Sequence, residues 1–193
     1  MIQRRGAGAA GVLLLLATVV AGAGCGRVQA RSQGPECVTR ATSSTAASPT
    51  VAAGDPFPDL SLPCLEGGRP VRLGTLGTPM LVNLWASWCG PCRQELPEFQ
   101  RFAQRAGDRV RVVGVDTRDS DAAGRSLVAE LHLDFAMLVD PEGRLLAAVG
   151  RTALPLTLFV DAHGNIRYLY NAQALDEAEL VTMTGRYLDA GVP

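Results

Sequence analysis

The run WASWCGPCRQELPEF occupies residues 85–99. It joins a continuous apolar stretch, PMLVNLWAS (79–87), to a segment in which Leu96, Phe99, Phe102, Ala103 and Ala106 recur at helical spacing. The first reads as a buried central strand. The second reads as a helix that opens at Cys89 and closes at Gly107. Pro91 falls in the first turn, where a missing N–H costs little. Pro97 falls inside the helix and should bend it. One cysteine therefore ends a strand and starts a helix, and Cys92 lies one turn further in.

Three chemistries compete for this pair. A structural zinc site needs two more ligands at suitable spacing. There is no second C-x-x-C, and the two histidines, His132 and His163, fall in different elements. A purely structural disulfide across two intervening residues closes a very short loop and removes little entropy from the unfolded chain. A redox couple uses every feature. The unpaired N–H groups and dipole of a helix N-terminus favour a thiolate at Cys89. Cys92 is placed to resolve a mixed disulfide.

Outward from this junction the chain alternates strand and helix. VRVVGVDTRD (110–119) reads as a buried strand, SDAAGRSLVAELHL (120–133) as a helix capped by Ser120 or Asp121, and FAMLVDP (135–141) as another strand. EGRLLAAVGR (142–151) suits a short helix. TLFVDAHGNIRYLYN (157–171) suits a β-hairpin turning at Ala162 to Asn165, and DEAELVTMTGRYLDAG (176–191) suits a closing helix. Before the central strand, DPFPDLSLPCLEGGRPVRLGTL (55–76) alternates around Gly67-Gly68 as a short strand pair. The expectation is an α/β fold with a mixed sheet covered on both faces.

Composition fits one domain plus an extension. The chain has 193 residues, 47% of them hydrophobic, enough for a real core. A net charge of −1 gives no basic field for nucleic acid. Arg4 and Arg5 precede an apolar run, GVLLLLATVV (11–20), and the small residues AGAGC (21–25), the layout of an export signal. Three fates fit. Cleavage after Ala21-Gly22-Ala23 would release a soluble protein. Gly22-Ala23-Gly24-Cys25 resembles a lipobox, with Gly22 where an aliphatic residue is usual. An uncut segment is long enough to span a bilayer, which takes roughly 20 residues. The leading expectation is 1–24 as a lipoprotein-type signal with Cys25 lipidated. Residues 25–54, rich in Ser, Thr, Ala and Pro, read as a flexible linker, and 55–193 as the folded domain. Every fate puts that domain outside the cytoplasm.

WCGPC after a strand and before a Pro-containing helix resembles the thioredoxin superfamily active site. Trp85, Trp88, Pro97 and the later Leu154-Pro155 before a strand fit the same pattern. The resemblance is closer to the TlpA/ResA/CcmG group of extracytoplasmic reductases. FPDLSLPCLEGGRPVRL (57–73), GVD (114–116) and LPLTLFVDAHGNI (154–166) carry it. It implies a thioredoxin-like fold with an N-terminal strand-pair extension and thiol-disulfide exchange through Cys89 and Cys92. It implies no organic cofactor and no metal, a cis Leu154-Pro155 bond facing the cysteines, and contact with the client through Trp88, Gly90, Pro91, Leu154 and Pro155. Where cytoplasmic-type thioredoxins hold a buried Asp, this chain has Asn83. Glu95, three residues after Cys92, matches an acid typical of the group and is expected to relay protons for the pair. An exposed first-turn acid favoured by the helix dipole is the alternative.

The partners implied are a disulfide-containing protein client, apocytochrome c among the candidates, and a membrane electron donor of the CcdA/DsbD type. An oxidase or isomerase is an alternative, since direction depends on potential. A peroxiredoxin would want Pro and Thr or Ser where Val82 and Ala86 stand. A Sco-like copper chaperone would want C-x-x-x-C. Cys37 and Cys64 are expected to pair, because unpaired thiols are uncommon in an oxidising compartment. A reactive Cys64, or Cys37 bonded to another chain, are the alternatives. Trp85 reads as core, the histidines as surface or loop residues, and Asp116, Asp119 and Asp121 as capping and solvated acids.

Overall fold

The computed structural model describes residues 37–38, 54–77 and 79–193. The expected export signal, Cys25 and most of the expected linker lie outside the described residues. Among those described, no helix is long and apolar enough to cross a membrane.

The apolar run before Cys89 forms β4 (Met80–Trp85), buried at every position, after β1 (Asp55–Pro56), β2 (Ser61–Leu62) and β3 (Val71–Arg72). Then follow α1 (Gly90–Ala106), β5 (Arg111–Thr117), α2 (Asp121–Glu130), β6 (Ala136–Asp140), α3 (Arg144–Ala148), β7 (Leu156–Val160), β8 (Asn165–Tyr170) and α4 (Glu177–Leu188). The six-stranded sheet runs β1-β8-β7-β4-β5-β6. β4, β5 and β6 are parallel, while β7 and β8 add antiparallel on the other side of β4. The sheet is therefore mixed, as its sequence pattern implies.

Strand alternation divides the core. Val82, Leu84, Val113 and Val115 point to the face covered by the β2–β3 pair and by Leu145 and Leu146 of α3. Leu81, Trp85 and Val112 point to the opposite face, against Leu96, Phe99 and Phe102 of α1, Leu127 of α2 and Leu180 of α4. The two parallel steps β4–β5 and β5–β6 move the same way along the sheet. Right-handed crossovers then put α1 and α2 on one face.

The helix ends obey local rules. Ser120 caps α2 by accepting from Ala123 N–H at 3.3 Å. At α4, Asp176 and Glu179 form a reciprocal capping box. α1 continues through Pro97 without interruption, forgoing only the bond its N–H would have made.

Cys37 is bonded to Cys64, and Val38 is buried in the core. Within the expected linker, these two residues are held on the domain. Cys64 bridges Leu138 of β6, flanked by Leu65 N–H donating to Met137 O and Val139 N–H donating to Pro63 O, both at 2.9 Å.

Candidate active site

Cys89 is the N-cap of α1, and its sulfur accepts from the Cys92 N–H at 3.3 Å. Both sulfurs face the first turn of a helix of 17 residues, where unpaired N–H groups favour negative charge. The two are bonded to each other, with Cα atoms 5.2 Å apart. They differ in access: Cys89 is 6% exposed and Cys92 fully buried. Gly90 and Pro91 lie at the surface between them. A Cβ on Gly90 would meet no atom within 4 Å, so the glycine leaves open space outside Cys89 rather than fitting a tight interior.

Trp88 is 63% exposed, the large apolar side chain that the described surface leaves to solvent. Its indole N–H donates to the Arg118 carbonyl at 3.1 Å. Trp85 is buried, as its strand position predicts.

Leu154-Pro155 is cis, as the resemblance implies. Leu154 packs against the cluster that contains Cys89 and Cys92. Asn171 holds this segment from β8's end, its side-chain amide donating to Pro155 O at 2.6 Å and to Ala153 O at 3.1 Å. Nothing in the sequence singled out Asn171.

Glu95 is 1% exposed, which excludes the exposed first-turn reading. The i, i+3 spacing puts it on the buried face of α1 with Cys92. Asn83 Nδ2 donates to Glu95 Oε1 at 2.6 Å, and Leu175 N–H donates to Oε2 at 3.2 Å. Burial outweighs these two bonds and pushes the carboxyl up to about 7. Asn83 also lies 3.4 Å from Thr157 Oγ1, its register partner on β7. A lone Thr in the apolar strand LTLFV was the one signal for that contact.

The acids at the β5–α2 junction separate. Asp119 does not cap α2, whose cap is Ser120; it accepts from Ser87 N–H at 2.5 Å and Ser120 N–H at 2.7 Å and so ties this loop to the one before Cys89. Asp116, near the end of β5, departs from the expected solvation: it is 2% exposed, shut under α2. Strand alternation is the reason, since Asp116 shares the face of Gly114 and Trp85 that α2 covers. His132 and His163 are both exposed. Among the described residues no group of three or more His, Cys, Asp or Glu side chains is arranged to hold a metal. Cys37–Cys64 stands apart from this site, at the β6 edge.

Comparison with known proteins agrees with this geometry. A family model described as Redoxin matches residues 52–183. The thiol:disulfide interchange protein DsbE of Pseudomonas fluorescens biotype C is 36% identical over 124 residues, covering 63% of this chain and 68% of that protein. The thiol-disulfide oxidoreductase ResA of Bacillus thuringiensis subsp. konkukian is 25% identical over 114 residues, covering 58% and 66%. Among solved structures, a secreted Mycobacterium tuberculosis disulfide oxidoreductase homologous to E. coli DsbE superposes with a TM-score of 0.61 at 27% identity, covering 66% of this chain and 96% of that one. A strand–Cys–helix junction with a bonded partner one turn on is what such enzymes need, and the chain belongs to the Redoxin family, as a thiol-disulfide oxidoreductase of the TlpA/ResA/CcmG type.

Proposed function

We propose that this protein is an exported, membrane-anchored reductase of protein disulfides. Residues 1–24 direct export, lipid on Cys25 anchors the chain, residues 25–54 lead to the domain, and 55–193 carry the chemistry. The supporting observation is the unequal access of the two cysteines at one helix N-terminus, with a buried carboxyl beneath them.

In the reduced enzyme the Cys89 thiolate attacks one sulfur of a client disulfide. A mixed disulfide forms, and the client's other sulfur leaves as a thiolate that takes a proton. Cys92 then gives its proton to Glu95 and attacks Cys89 Sγ. The client's second thiol is released, and Cys89–Cys92 is left oxidised. Two electrons have passed to the client. A group with a pKa near the working pH suits the transfer, and Glu95 at about 7 meets that condition. Trp88, Gly90, Pro91, Leu154 and Pro155 receive the client around Cys89. A membrane donor of the CcdA/DsbD type returns the electrons as a dithiol. Apocytochrome c, whose haem-site cysteines must be reduced before attachment, is the proposed client class.

The reduced protein should reduce insulin disulfides, with the activity lost in Cys89→Ser. Equal activity in that variant would sink the mechanism. Cys92→Ser should accumulate a mixed disulfide in cells, and peptide mapping of the captured partner decides whether it is an apocytochrome. Incorporation of a fatty-acid analogue, abolished in Cys25→Ala, tests the anchor.

A further inference from the structure

The loop in front of Cys89 is held by the loop that follows β5. Ser87 N–H donates to Asp119 Oδ2, and the Trp88 indole donates to the Arg118 carbonyl. Arg118 adopts φ 56°, a left-handed conformation uncommon for a residue with a side chain. Such outliers persist where neighbouring contacts over-determine them.

Beneath this contact lies Asp116. Its Oδ1 has no hydrogen-bond partner although it is buried. Its other oxygen rests against Gly124 of α2, so close that a Cβ there would overlap it. Across the sheet its register partners are Trp85 on β4 and Val139 on β6, neither of them charged. The charged groups that act on it are Asp119 and Asp121. Arg125 on α2 is turned to Asp121, at 3.9 Å, and to the Leu65 carbonyl, at 2.6 Å.

Asp116 and Asp119 are within hydrogen-bonding reach of each other. Two carboxyls can bond only if one carries a proton. The environments assign it. Burial, followed by the two acidic neighbours, pushes Asp116 up to about 8. Burial also acts on Asp119, but the hydrogen bonds from Ser87 and Ser120 outweigh it and hold that carboxyl below its ordinary value. Asp116 is therefore the donor and Asp119 the acceptor at neutral pH.

We propose that Asp116 and Asp119 are a positioning pair for the loop that presents Trp88 beside Cys89, the proton between them keeping Asp119 in place under Ser87. When that proton leaves to solvent, two adjacent carboxylates repel. Asp119 turns outward, and the Ser87 and Trp88 contacts loosen. The consequence for catalysis rests on Trp88 receiving the client. The positioning itself does not.

The test is read on the oxidised protein, whose Cys89–Cys92 thiols cannot titrate, in a Glu95→Gln background that removes the other raised acid. In 15N-labelled protein the Trp88 indole resonance is assigned by its loss in Trp88→Phe and followed from about pH 6 to about pH 9.5. It should move with a one-proton midpoint near 8. Asp116→Asn, whose amide donates to Asp119 without ionising, should abolish the movement. A resonance fixed in the parent protein, or one moving equally in Asp116→Asn, overturns the proposal. Should Asp116→Asn not fold, Asp119→Asn leaves the ionised Asp116 no second carboxylate to repel and should likewise abolish the movement. A resonance that still moves near 8 in that variant again overturns it. Failure of Trp88→Ala to weaken client capture would count against the docking role alone, since the titration is read without turnover.

Discussion

Asn83 donates a 2.6 Å hydrogen bond to Glu95, and neither side chain reaches solvent. A neutral amide stands where a cationic partner would have been needed to keep a buried carboxyl ionised. The carboxyl consequently holds its proton to about pH 7, one helical turn beyond Cys92.

Glu95 should make the fold less stable as pH rises. Its folded pKa lies above the unfolded value, so its contribution is complete below about pH 4.5 and is lost progressively up to about 7. The loss is at most about 3 kcal/mol, at 1.36 kcal/mol per pH unit. Urea unfolding at both ends of that window should show the fall in wild type and a flatter profile in Glu95→Gln. Equal slopes would refute the assignment.

Asn83→Asp would put two carboxyls at the distance now spanned by Asn83 and Glu95. They cannot both ionise, so the pair should titrate in two separated steps. The step now near 7 should rise by about one unit or more. The pH profile of kcat/KM for insulin reduction should carry this shift, and neutral-pH stability should drop by about 1–3 kcal/mol.

Replacing both Cys37 and Cys64 by Ser opens a loop of 27 residues. Chain-entropy arguments put the cost at about 3–4 kcal/mol. Calorimetry should show a lower Tm, while insulin reduction at 25 °C should persist, because that bond stands apart from Cys89. Loss of activity in a folded double variant would reveal a second redox role instead.

Gly124→Ala should destabilise the domain, against the ordinary helical preference for Ala, which is worth about 1 kcal/mol. The new Cβ would overlap the buried Asp116 carboxyl, which has little room to retreat. Overpacking of this kind costs about 1–3 kcal/mol. A Tm equal to or above that of the wild type would show that Asp116 can move aside.

Most of the fold was legible because its signals are local. PMLVNLWAS could be little other than a central strand, and the alternation of Leu62 and Val71 with polar neighbours announced the β2–β3 pair. Asp55–Pro56 was not readable as a sheet strand. It is two residues long, contains a proline, and exists only through pairing with Asn165 and Ile166. In the site, Cys89 and Cys92 were found by spacing, but the burial of Glu95 was not. A carboxyl in the second turn of a helix looks solvated until the segment before α4 closes over it through Leu175. Asp116 and Asp119 look alike in sequence. They part only because α2 folds back over one face of β5, a contact fixed by a glycine rather than by the acids themselves.

The bridge between Cys64 and Leu138 bears on how copies of this protein meet. β6 is the last strand of its sheet, and its outward N–H and C=O groups would otherwise offer a template to any extended chain. Residues 63–65 occupy that template through backbone bonds at Met137 and Val139, and Cys64 among them is bonded to Cys37. This border is therefore closed to strand exchange between copies.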